Sequence, residues 1–406
     1  MVFLNSIELS GFLSFAPDTP KIELTPLNVL IGPNGSGKSN LIEAIEVLRA
    51  APTGLASLMR QGGTAQEWIW KGEPAAEFAR IEVRIDKTPR RVPGVAYRLR
   101  YPPMKYSLRF SAAGLRLDIE EELIHSFTSL KATPDIENVN VRLKRGRGTL
   151  AAAGPRLALN ENNITATKAV DLAPEESVLS QRKDPLNYPE LTWIAQHFTR
   201  IQTFRDWTFG RSAPLRQPQR GDLQIDTLLP GSENLGLLLN EIQHDKVSER
   251  FNRLLSRFLP RFERLSTRVY GGAVQFFLHE EGAGTPIPGT RLSDGTIRFM
   301  AIVATLLSPT PPPLVCIEEP ELGLHPDAIM LLAELLVEAS SRMQLIVTTH
   351  SPTLISALTD QADSVLVCEH RHGTRISRVD PALMKNWLKD YRLGEIWRIG
   401  EIGGNP

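Results

Sequence analysis

The chain has 406 residues, of which 42% are hydrophobic and 23% charged, and its 46 basic and 46 acidic side chains give a formal net charge of zero. This composition is typical of a folded globular protein and excludes attraction to nucleic acid or membranes through overall charge alone. Two cysteines, Cys316 and Cys368, exclude a disulfide framework and favour a reducing, cytoplasmic location. No apolar run approaches the ~20 residues that cross a bilayer, and the first residues are not typical of a signal peptide.

A glycine-rich loop near the start of the chain predicts a nucleoside triphosphate site. It matches G-x-x-x-x-G-K-[ST], follows an apolar run at residues 27–31 and precedes a helix-like run at residues 41–49. Glycines let successive backbone N–H groups face an anion, and the following helix adds the positive end of its dipole. The residues expected to bind ATP are Gly32, Pro33, Asn34, Gly35, Ser36, Gly37, Lys38, Ser39 and Asn40.

The middle of the chain carries weaker signals. Residues 78–124 alternate between apolar and polar and predict an antiparallel β lobe, whereas residues 130–188 predict loops or weak strands. Residues 235–265 predict helices, with Pro260 kinking or ending the second of them. Two basic segments are either solvated surface or a DNA-binding or partner-binding stripe; they comprise Arg200, Arg205, Arg211, Arg216 and Arg220, and Arg250, Arg253, Arg257, Arg261 and Arg264.

Three short motifs follow in the last third. Ser293 suits the N-cap of a helix that runs on to residue 307. Four apolar residues precede Glu318 and Glu319, which predicts a buried strand with one carboxylate for Mg²⁺ and one to orient or deprotonate water, although an acidic turn without chemistry has the same pattern. A second apolar strand ends at His350. The spacing of Cys368, His370 and His372 is wrong for a structural zinc site, so we expect no metal there.

The order of these motifs resembles that of ABC-type ATPases over about half of the chain. The sequences Leu-Ser-Asp-Gly-Thr, Ile-Glu-Glu-Pro-Glu-Leu-Gly-Leu-His-Pro and Thr-Thr-His-Ser-Pro, and the tail at residues 393–404, are similar to the RecF/OLD-like branch, which acts in bacterial DNA repair and phage defence. The resemblance implies an α/β P-loop NTPase fold, an ABC-type ATPase head with a central, mostly parallel sheet, an antiparallel β lobe and an α-helical or irregular insertion. We expect one head from residues 1–125 and 266–406, interrupted by an insertion at 126–265.

The same resemblance implies roles for individual residues. Lys38, Glu319 and His350 would be catalytic, and Ser39 and Glu318 would hold Mg²⁺. Ser293, Asp294 and Gly295 would form the signature loop that contacts the γ-phosphate bound by a second subunit. Two positions depart from the family pattern, since Glu318 replaces the usual aspartate and Asp294 replaces the first signature glycine. Gln202 is a candidate for the glutamine-loop residue.

These features predict an ATP-hydrolysing switch that uses ATP and Mg²⁺ and forms a homodimer or a higher even oligomer. Because OLD-like nucleases carry a Toprim domain after the ATPase head and the expected acidic triad is absent here, we expect a separate effector such as a nuclease. A non-hydrolysing sensor or scaffold is the alternative. A transporter ATPase subunit is disfavoured because the insertion before Ser293 is too long, and no membrane partner is expected.

Overall fold

The protein, seen as a computed structural model, is described over residues 2–403 apart from 87, 91–98, 102, 129–135, 152–166, 206, 208–209 and 211–212. Its strands are β1 (Leu4–Ser10), β2 (Ile22–Glu23), β3 (Leu27–Ile31), β4 (Ala79–Ile85), β5 (Thr88–Arg90), β6 (Leu99–Tyr101), β7 (Met104–Ala113), β8 (Arg116–Thr128), β9 (Ile136–Lys144), β10 (Arg147–Ala151), β11 (Thr167–Asp171), β12 (Gln202–Phe204), β13 (Gln219–Arg220), β14 (Phe262–Tyr270), β15 (Ala273–Glu280), β16 (Ile287–Pro288), β17 (Leu314–Glu318), β18 (Gln344–Thr348), β19 (Val365–His370) and β20 (Thr374–Arg378).

The helices are distributed along the whole chain, and most of them connect strands of the sheets. They are α1 (Lys38–Ala50), α2 (Leu55–Gln61), α3 (Val178–Gln181), α4 (Pro189–Thr199), α5 (Leu235–His244), α6 (Ser248–Phe258), α7 (Asp294–Leu306), α8 (Pro326–Ser340), α9 (Pro352–Ala357) and α10 (Leu393–Ile399). Among the residues that the structure describes, no helix is both long and apolar enough to span a bilayer.

The centre of the molecule is a six-stranded sheet with the order β12-β17-β18-β3-β19-β20. The first five strands are parallel and β20 runs antiparallel to β19. All residues of β3 and β18 are buried, as are the first four of β17, because these short apolar runs are covered on both faces. The carboxyl ends of the parallel strands therefore meet at one edge, where open α/β sheets place their ligands. This is the mostly parallel sheet that the sequence predicts.

An antiparallel sheet of eight strands, β11-β10-β9-β8-β7-β4-β1-β2, forms the lobe beside the central sheet. The described parts of residues 130–188, for which the sequence predicts loops or weak strands, contain the strands β9, β10 and β11, so the lobe extends beyond the alternating segment at residues 78–124. The left-handed pair Arg145 and Gly146, with φ of 46° and 74°, allows the tight turn between β9 and β10. The expected boundary at residue 125 lies inside β8, and the lobe continues to Asp171.

The helices predicted within residues 235–265 end just before Pro260, which is one of the two outcomes expected at that proline. Helix α6 stops at Phe258, just before Pro260, and residues 262–270 form β14. Arg261 and Arg264 therefore do not continue the helical row of arginines, which corrects the basic stripe predicted from their spacing.

Most of the other arginines in the predicted stripes have acidic or buried partners. On α6, Arg250 pairs with Glu338 and Arg257 with Glu334, and both acids lie on α8. Arg205 and Arg216 are also partly or fully buried against carboxylates, and Arg211 lies outside the described residues. The α6 row therefore holds two helices together, which favours the structural interpretation over a DNA-binding stripe.

A fully buried glutamine connects the two main sheets. Gln344, the first residue of β18, accepts hydrogen bonds from the backbone N–H groups of Phe3 and Leu4 at 3.1 and 2.8 Å. Its amide nitrogen donates to the carbonyl oxygens of Leu4 and Thr25 at 2.8 and 3.1 Å. All of its hydrogen-bonding capacity is used within the protein, which offsets the cost of burying the amide. These four contacts hold β1 of the lobe against β18 of the central sheet.

A buried carboxylate holds the far side of the lobe. Glu122 on β8 is 1% exposed and accepts hydrogen bonds from Tyr106 Oη at 2.8 Å, Ser177 Oγ at 2.5 Å and the Val178 backbone at 2.7 Å. Burial raises the pKa of this carboxyl group, and the three donors act in the opposite direction. Because Ser177 is also the N-cap of α3, Glu122 holds the start of α3, where the chain leaves the lobe, against β8.

Replacing Glu122 with alanine should lower the free energy of unfolding by about 2–4 kcal/mol, because three buried donors lose their acceptor. Chemical denaturation monitored by circular dichroism measures the change. The matched control is Glu121→Ala on the opposite face of the same strand, for which we expect a change within about 0.5 kcal/mol. Equal effects of the two substitutions would contradict this role of Glu122.

Candidate functional site

The phosphate loop joins β3 to α1 through a backbone that only glycine adopts freely. Gly32, Gly35 and Gly37 have φ of 147°, 75° and 97°, and Gly37 is the N-cap of α1. An ideal Cβ on Gly37 would lie 2.0 Å from Thr374 Oγ1, and one on Gly32 would lie 2.3 Å from the carbonyl oxygen of Cys368. The loop therefore lies directly on the β19–β20 hairpin, with no room for larger residues at these two positions.

Ser14 and Thr374 support this loop and could not be identified from the motif. Their hydroxyls are 2.7 Å apart, and Thr374 Oγ1 donates to the carbonyl of Ser36 at 2.9 Å. The amide of Asn40 donates to Ser14 Oγ at 2.7 Å, so its side chain supports the loop instead of pointing to a phosphate. In contrast, the Ser36 hydroxyl is 1% exposed and has no hydrogen-bond partner among the described residues. An unpartnered buried donor in a phosphate loop fits an anionic ligand.

Lys38 lies inside the loop with 7% of its surface exposed. Its Nζ donates to the carbonyl oxygens of Gly32 at 2.7 Å and Pro33 at 2.9 Å. Burial lowers the pKa of this ammonium group, while Glu318 and Glu319 are among the groups that act to raise it. The lysine is thus held at the loop with its charge directed towards the acidic end of β17.

Glu318 ends β17 and points towards the start of α1. The Ser39 hydroxyl is within hydrogen-bonding reach, and Arg205 Nε lies 3.3 Å from Glu318 Oε1. Burial raises the pKa of Glu318, and Arg205 and Ser39 oppose that shift. Glu318 Oε1 is buried and accepts no hydrogen bond from any described residue. A hydroxyl beside a carboxylate whose Oε1 is held only by an ion pair is a donor set that suits Mg²⁺ together with nucleotide phosphates.

Glu319 and His350 form the accessible part of the site. His350 Nε2 lies 3.7 Å from Glu319 Oε1, and about a third of each side chain is exposed. Glu319 has φ of 44°, which is unusual for a residue with a side chain, while its N–H donates to the Thr348 carbonyl at 3.0 Å. Such backbone strain concentrates at functional sites. Burial lowers the pKa of His350, Lys38 adds to this effect and Glu319 opposes it, and the net direction favours the neutral imidazole.

Glu321 is a buried residue of this site to which sequence analysis assigned no role. It is 8% exposed and its Oε1 accepts from Thr349 Oγ1 at 2.5 Å and from the N–H of His350 at 3.1 Å. Burial raises the pKa of Glu321. The acid connects the turn after β17 to the end of β18 and thereby fixes the backbone that carries His350.

The signature loop has its own set of contacts. Ser293 Oγ accepts from the N–H of Thr296 at 3.1 Å, as expected for the N-cap of α7. Asp294 forms an ion pair with Arg216, which is 4% exposed and also donates to the carbonyl of Leu292 at 2.6 Å. A Cβ on Gly295 would lie 2.6 Å from the carbonyl oxygen of residue 323. The loop is therefore fixed between a buried arginine and the turn at residues 319–324.

The side chain of the candidate glutamine-loop residue contacts Leu228 instead of Glu318. Gln202 begins β12 and pairs with Val315, and its side chain donates to the Leu228 carbonyl at 3.2 Å. Phe204 is paired with Ile317, so the next residue, Arg205, is the one level with Glu318. The Gln202 side chain thus contacts Leu228, and Arg205 is the residue of this segment that lies against Glu318.

The two cysteines are core residues. Cys316 and Cys368 are both 0% exposed, and burial raises the pKa of Cys368 to about 12. Burial raises the pKa of Cys316 as well. Within the part of the chain that the structure describes, no group of three His, Cys, Asp or Glu side chains is arranged to hold a metal ion.

A phosphate loop between a buried strand and a helix, with acids and a histidine at the ends of neighbouring parallel strands, defines an ABC-type ATPase head of the SMC/RecF/OLD-like class. The chain belongs to the AAA_21 family, described as "AAA domain, putative AbiEii toxin, Type IV TA system", whose model matches residues 27–356. The predicted class and fold are confirmed.

Three curated relatives are similar over short segments. The chain is 36% identical over 104 residues to the DNA replication and repair protein RecF of Acidothermus cellulolyticus, covering 24% of this chain and 26% of that protein. It is 45% identical over 62 residues to the Old nuclease of Escherichia phage P2, covering 15% and 10%. It is 53% identical over 45 residues to the chromosome partition protein Smc of Halothermothrix orenii, covering 11% and 4%. The matches thus span about a quarter or less of each relative.

The fold is similar to that of solved SMC heads. An Smc head bound to the C-winged helix domain of ScpA has a TM-score of 0.57 at 16% sequence identity, covering 94% of this chain and 99% of that one. At this identity the comparison supports the shared fold alone.

Gly37→Ala should abolish binding of a fluorescent ATP analogue, because its Cβ would meet Thr374 and its φ is left-handed. Gly35→Ala in the same loop is the matched control, since an ideal Cβ there meets no atom within 4 Å. Gly35→Ala should therefore cost only about 1 kcal/mol, from placing a side chain on a left-handed backbone, and should weaken binding much less than Gly37→Ala. Fluorescence titration and thermal unfolding measure both variants, and equal losses of binding would contradict the predicted close approach.

Proposed function

We propose that this protein is a cytoplasmic, Mg²⁺-dependent ATPase that works as a switch, in which two copies close head to tail on two ATP molecules. The observation that carries the proposal is the convergence of Lys38, Glu318, Glu319 and His350 at one edge of the central sheet. These residues follow three different strands, β3, β17 and β18, yet His350 Nε2 is 3.7 Å from Glu319 Oε1 and the charge of Lys38 acts to lower the pKa of His350.

The two adjacent acids have different surroundings, which supports different roles. Glu318 points inward to Ser39, and these two would hold Mg²⁺, which neutralises charge on the phosphates when bound. Glu319 is more exposed and lies beside a neutral imidazole, so it would accept a proton from the attacking water. Lys38 and the loop N–H groups would bind the phosphates, and His350 would contact the γ-phosphate.

The signature loop would complete the site of the second copy. Ser293, Asp294 and Gly295 precede or begin α7, whose N-terminus carries a partial positive charge. Asp294 would repel a phosphate, but its pairing with Arg216 offsets the negative charge. Contacts made only when the γ-phosphate is present would give closure its preference for the ATP state.

The cellular role that we propose is bacterial DNA repair or anti-phage defence with a separate effector such as a nuclease. The names of two relatives, a DNA replication and repair protein and a phage nuclease, support this context. The family description adds a putative toxin of a toxin–antitoxin system. We assign no DNA contact to the α6 arginines, because Arg250 and Arg257 are paired with acids of α8.

A sensor or scaffold that binds ATP without hydrolysing it is the second candidate. It is favoured by the signature loop, where the Ser293 hydroxyl already caps α7 and an acid replaces the first glycine. The exposed Glu319 beside His350 argues against it, because a non-hydrolysing protein needs no such base.

Glu319→Gln should double the molar mass measured by light scattering in the presence of ATP and Mg²⁺, because loss of the base traps the ATP-bound dimer. The hydrolysis rate should fall by about 10²- to 10⁴-fold. Lys38→Ala should abolish the change in mass. Glu334→Gln, which removes a carboxylate on the outer surface of α8, is the matched control and should leave hydrolysis and mass as in the parent protein.

Two results would contradict parts of the proposal. An unchanged mass with measurable hydrolysis in the parent would exclude the role of Ser293 and Gly295 in a second copy. The sensor or scaffold would be favoured if the parent did not hydrolyse ATP and its molar mass rose with ATP to the same value in Glu319→Gln.

A further inference from the structure

The guanidinium group of Arg205 forms ion pairs with three carboxylates, one of which is Glu318. Arg205 Nη2 lies 3.0 Å from Glu43 Oε1, Nη1 lies 3.1 Å from Glu46 Oε2, and Nε lies 3.3 Å from Glu318 Oε1. Glu43 and Glu46 are three residues apart on α1 and therefore share a face of that helix. Thr203 Oγ1 also donates to Glu46 at 3.0 Å.

The cluster is largely shielded from water and carries an excess of negative charge. The four side chains are between 16% and 24% exposed, so screening by solvent is incomplete. Burial acts to lower the pKa of Arg205, but the three carboxylates outweigh this effect and raise it. Arg205 is thus permanently charged and neutralises about one of the three acids.

The position of Arg205 matters because Glu318 is the acid that would hold Mg²⁺. Its Oε1 accepts no hydrogen bond from the described residues and is nearest to Arg205 Nε. A cation at this oxygen would lie within a few ångströms of the guanidinium charge, where repulsion is strong at the low effective dielectric of a protein. ATP adds negative phosphate oxygens on the other side and shifts this balance towards the metal.

We propose that Arg205 is a positioning residue that holds Glu318 as its internal counter-ion and excludes free divalent cations from the carboxylate cluster until ATP brings Mg²⁺. This inference rests on the proposed function, because it concerns the order in which the same site is filled. Glu43, Glu46 and Glu318 are not arranged as a metal site while each faces Arg205. Without Arg205, the three carboxylates would be free to turn their oxygens towards a hard cation in the absence of nucleotide.

The test is a titration of nucleotide-free protein with Mn²⁺, in which electron paramagnetic resonance measures the free ion. The parent should show no stoichiometric binding site, whereas Arg205→Met should bind one Mn²⁺ per chain at least about tenfold more tightly than the parent. Arg205→Lys keeps the charge and should resemble the parent. Arg205→Met combined with Glu318→Gln should lose the gained site.

The matched control is Arg257→Met, which removes the arginine of α6 that pairs with Glu334 of α8. This substitution should leave Mn²⁺ binding unchanged. Thermal unfolding establishes that each variant is folded, and Arg205→Gln, which retains hydrogen bonds, replaces Arg205→Met if the apolar side chain prevents folding. A nucleotide-free parent that binds one Mn²⁺ per chain at a stoichiometric site would overturn the proposal without any variant.

Two further results would also overturn it. A folded Arg205→Met with no gain in Mn²⁺ affinity would show that the guanidinium does not exclude the cation. A gain that persists after Glu318→Gln would assign the metal to Glu43 and Glu46 alone. Because these titrations contain no nucleotide, they are independent of whether the parent hydrolyses ATP or dimerises.

Discussion

The parallel alignment of β12, β17, β18 and β3 is the constraint on which the site depends. The strands are short, β3, β17 and β18 are mostly apolar, and the functional residues follow their ends at the same edge of the sheet. In the register of the sheet, Thr348 of β18 is paired with Glu318 of β17 on one side and with Leu30 of β3 on the other. The three strands therefore end at the same height, and the phosphate loop, the acids and the histidine that follow them lie side by side. A shift of one residue would turn each side chain to the opposite face of the sheet and would move these groups out of level.

Much of the site could be predicted because its main groups lie in short local motifs. The phosphate loop, the acid pair and His350 each follow an apolar run, and a parallel sheet brings such ends together without knowledge of the loops between them. What could not be predicted is the set of long-range supports. Arg205 contacts acids more than 150 positions earlier in the chain, and Thr374 contacts the phosphate loop across 338 positions. Nothing in either local sequence marks these partners.

The errors in the fold have the same origin. The spacing of arginines on α6 correctly indicates a polar helical face, but it cannot show that Glu334 and Glu338 on another helix meet that face. Likewise, β9 to β11 are poor in aromatic residues, and their local sequence leaves open whether they are loops or weak strands. They form because β8 offers an edge with a complementary backbone, and such tertiary pairing overrides local propensity.

The charges of the site indicate that ATP binding is an exchange of partners. Lys38 already donates to the Gly32 and Pro33 carbonyls, and Glu318 already lies against Arg205. The nucleotide must therefore replace satisfied contacts, and the net free energy is the difference between two sets of interactions rather than the sum of the new ones. In the proposed function, only the full triphosphate with its metal would replace both sets at once, so the arrangement would favour Mg²⁺ and ATP together over either alone. The same exchange would be reversed on hydrolysis, when Arg205 regains Glu318 as the metal departs.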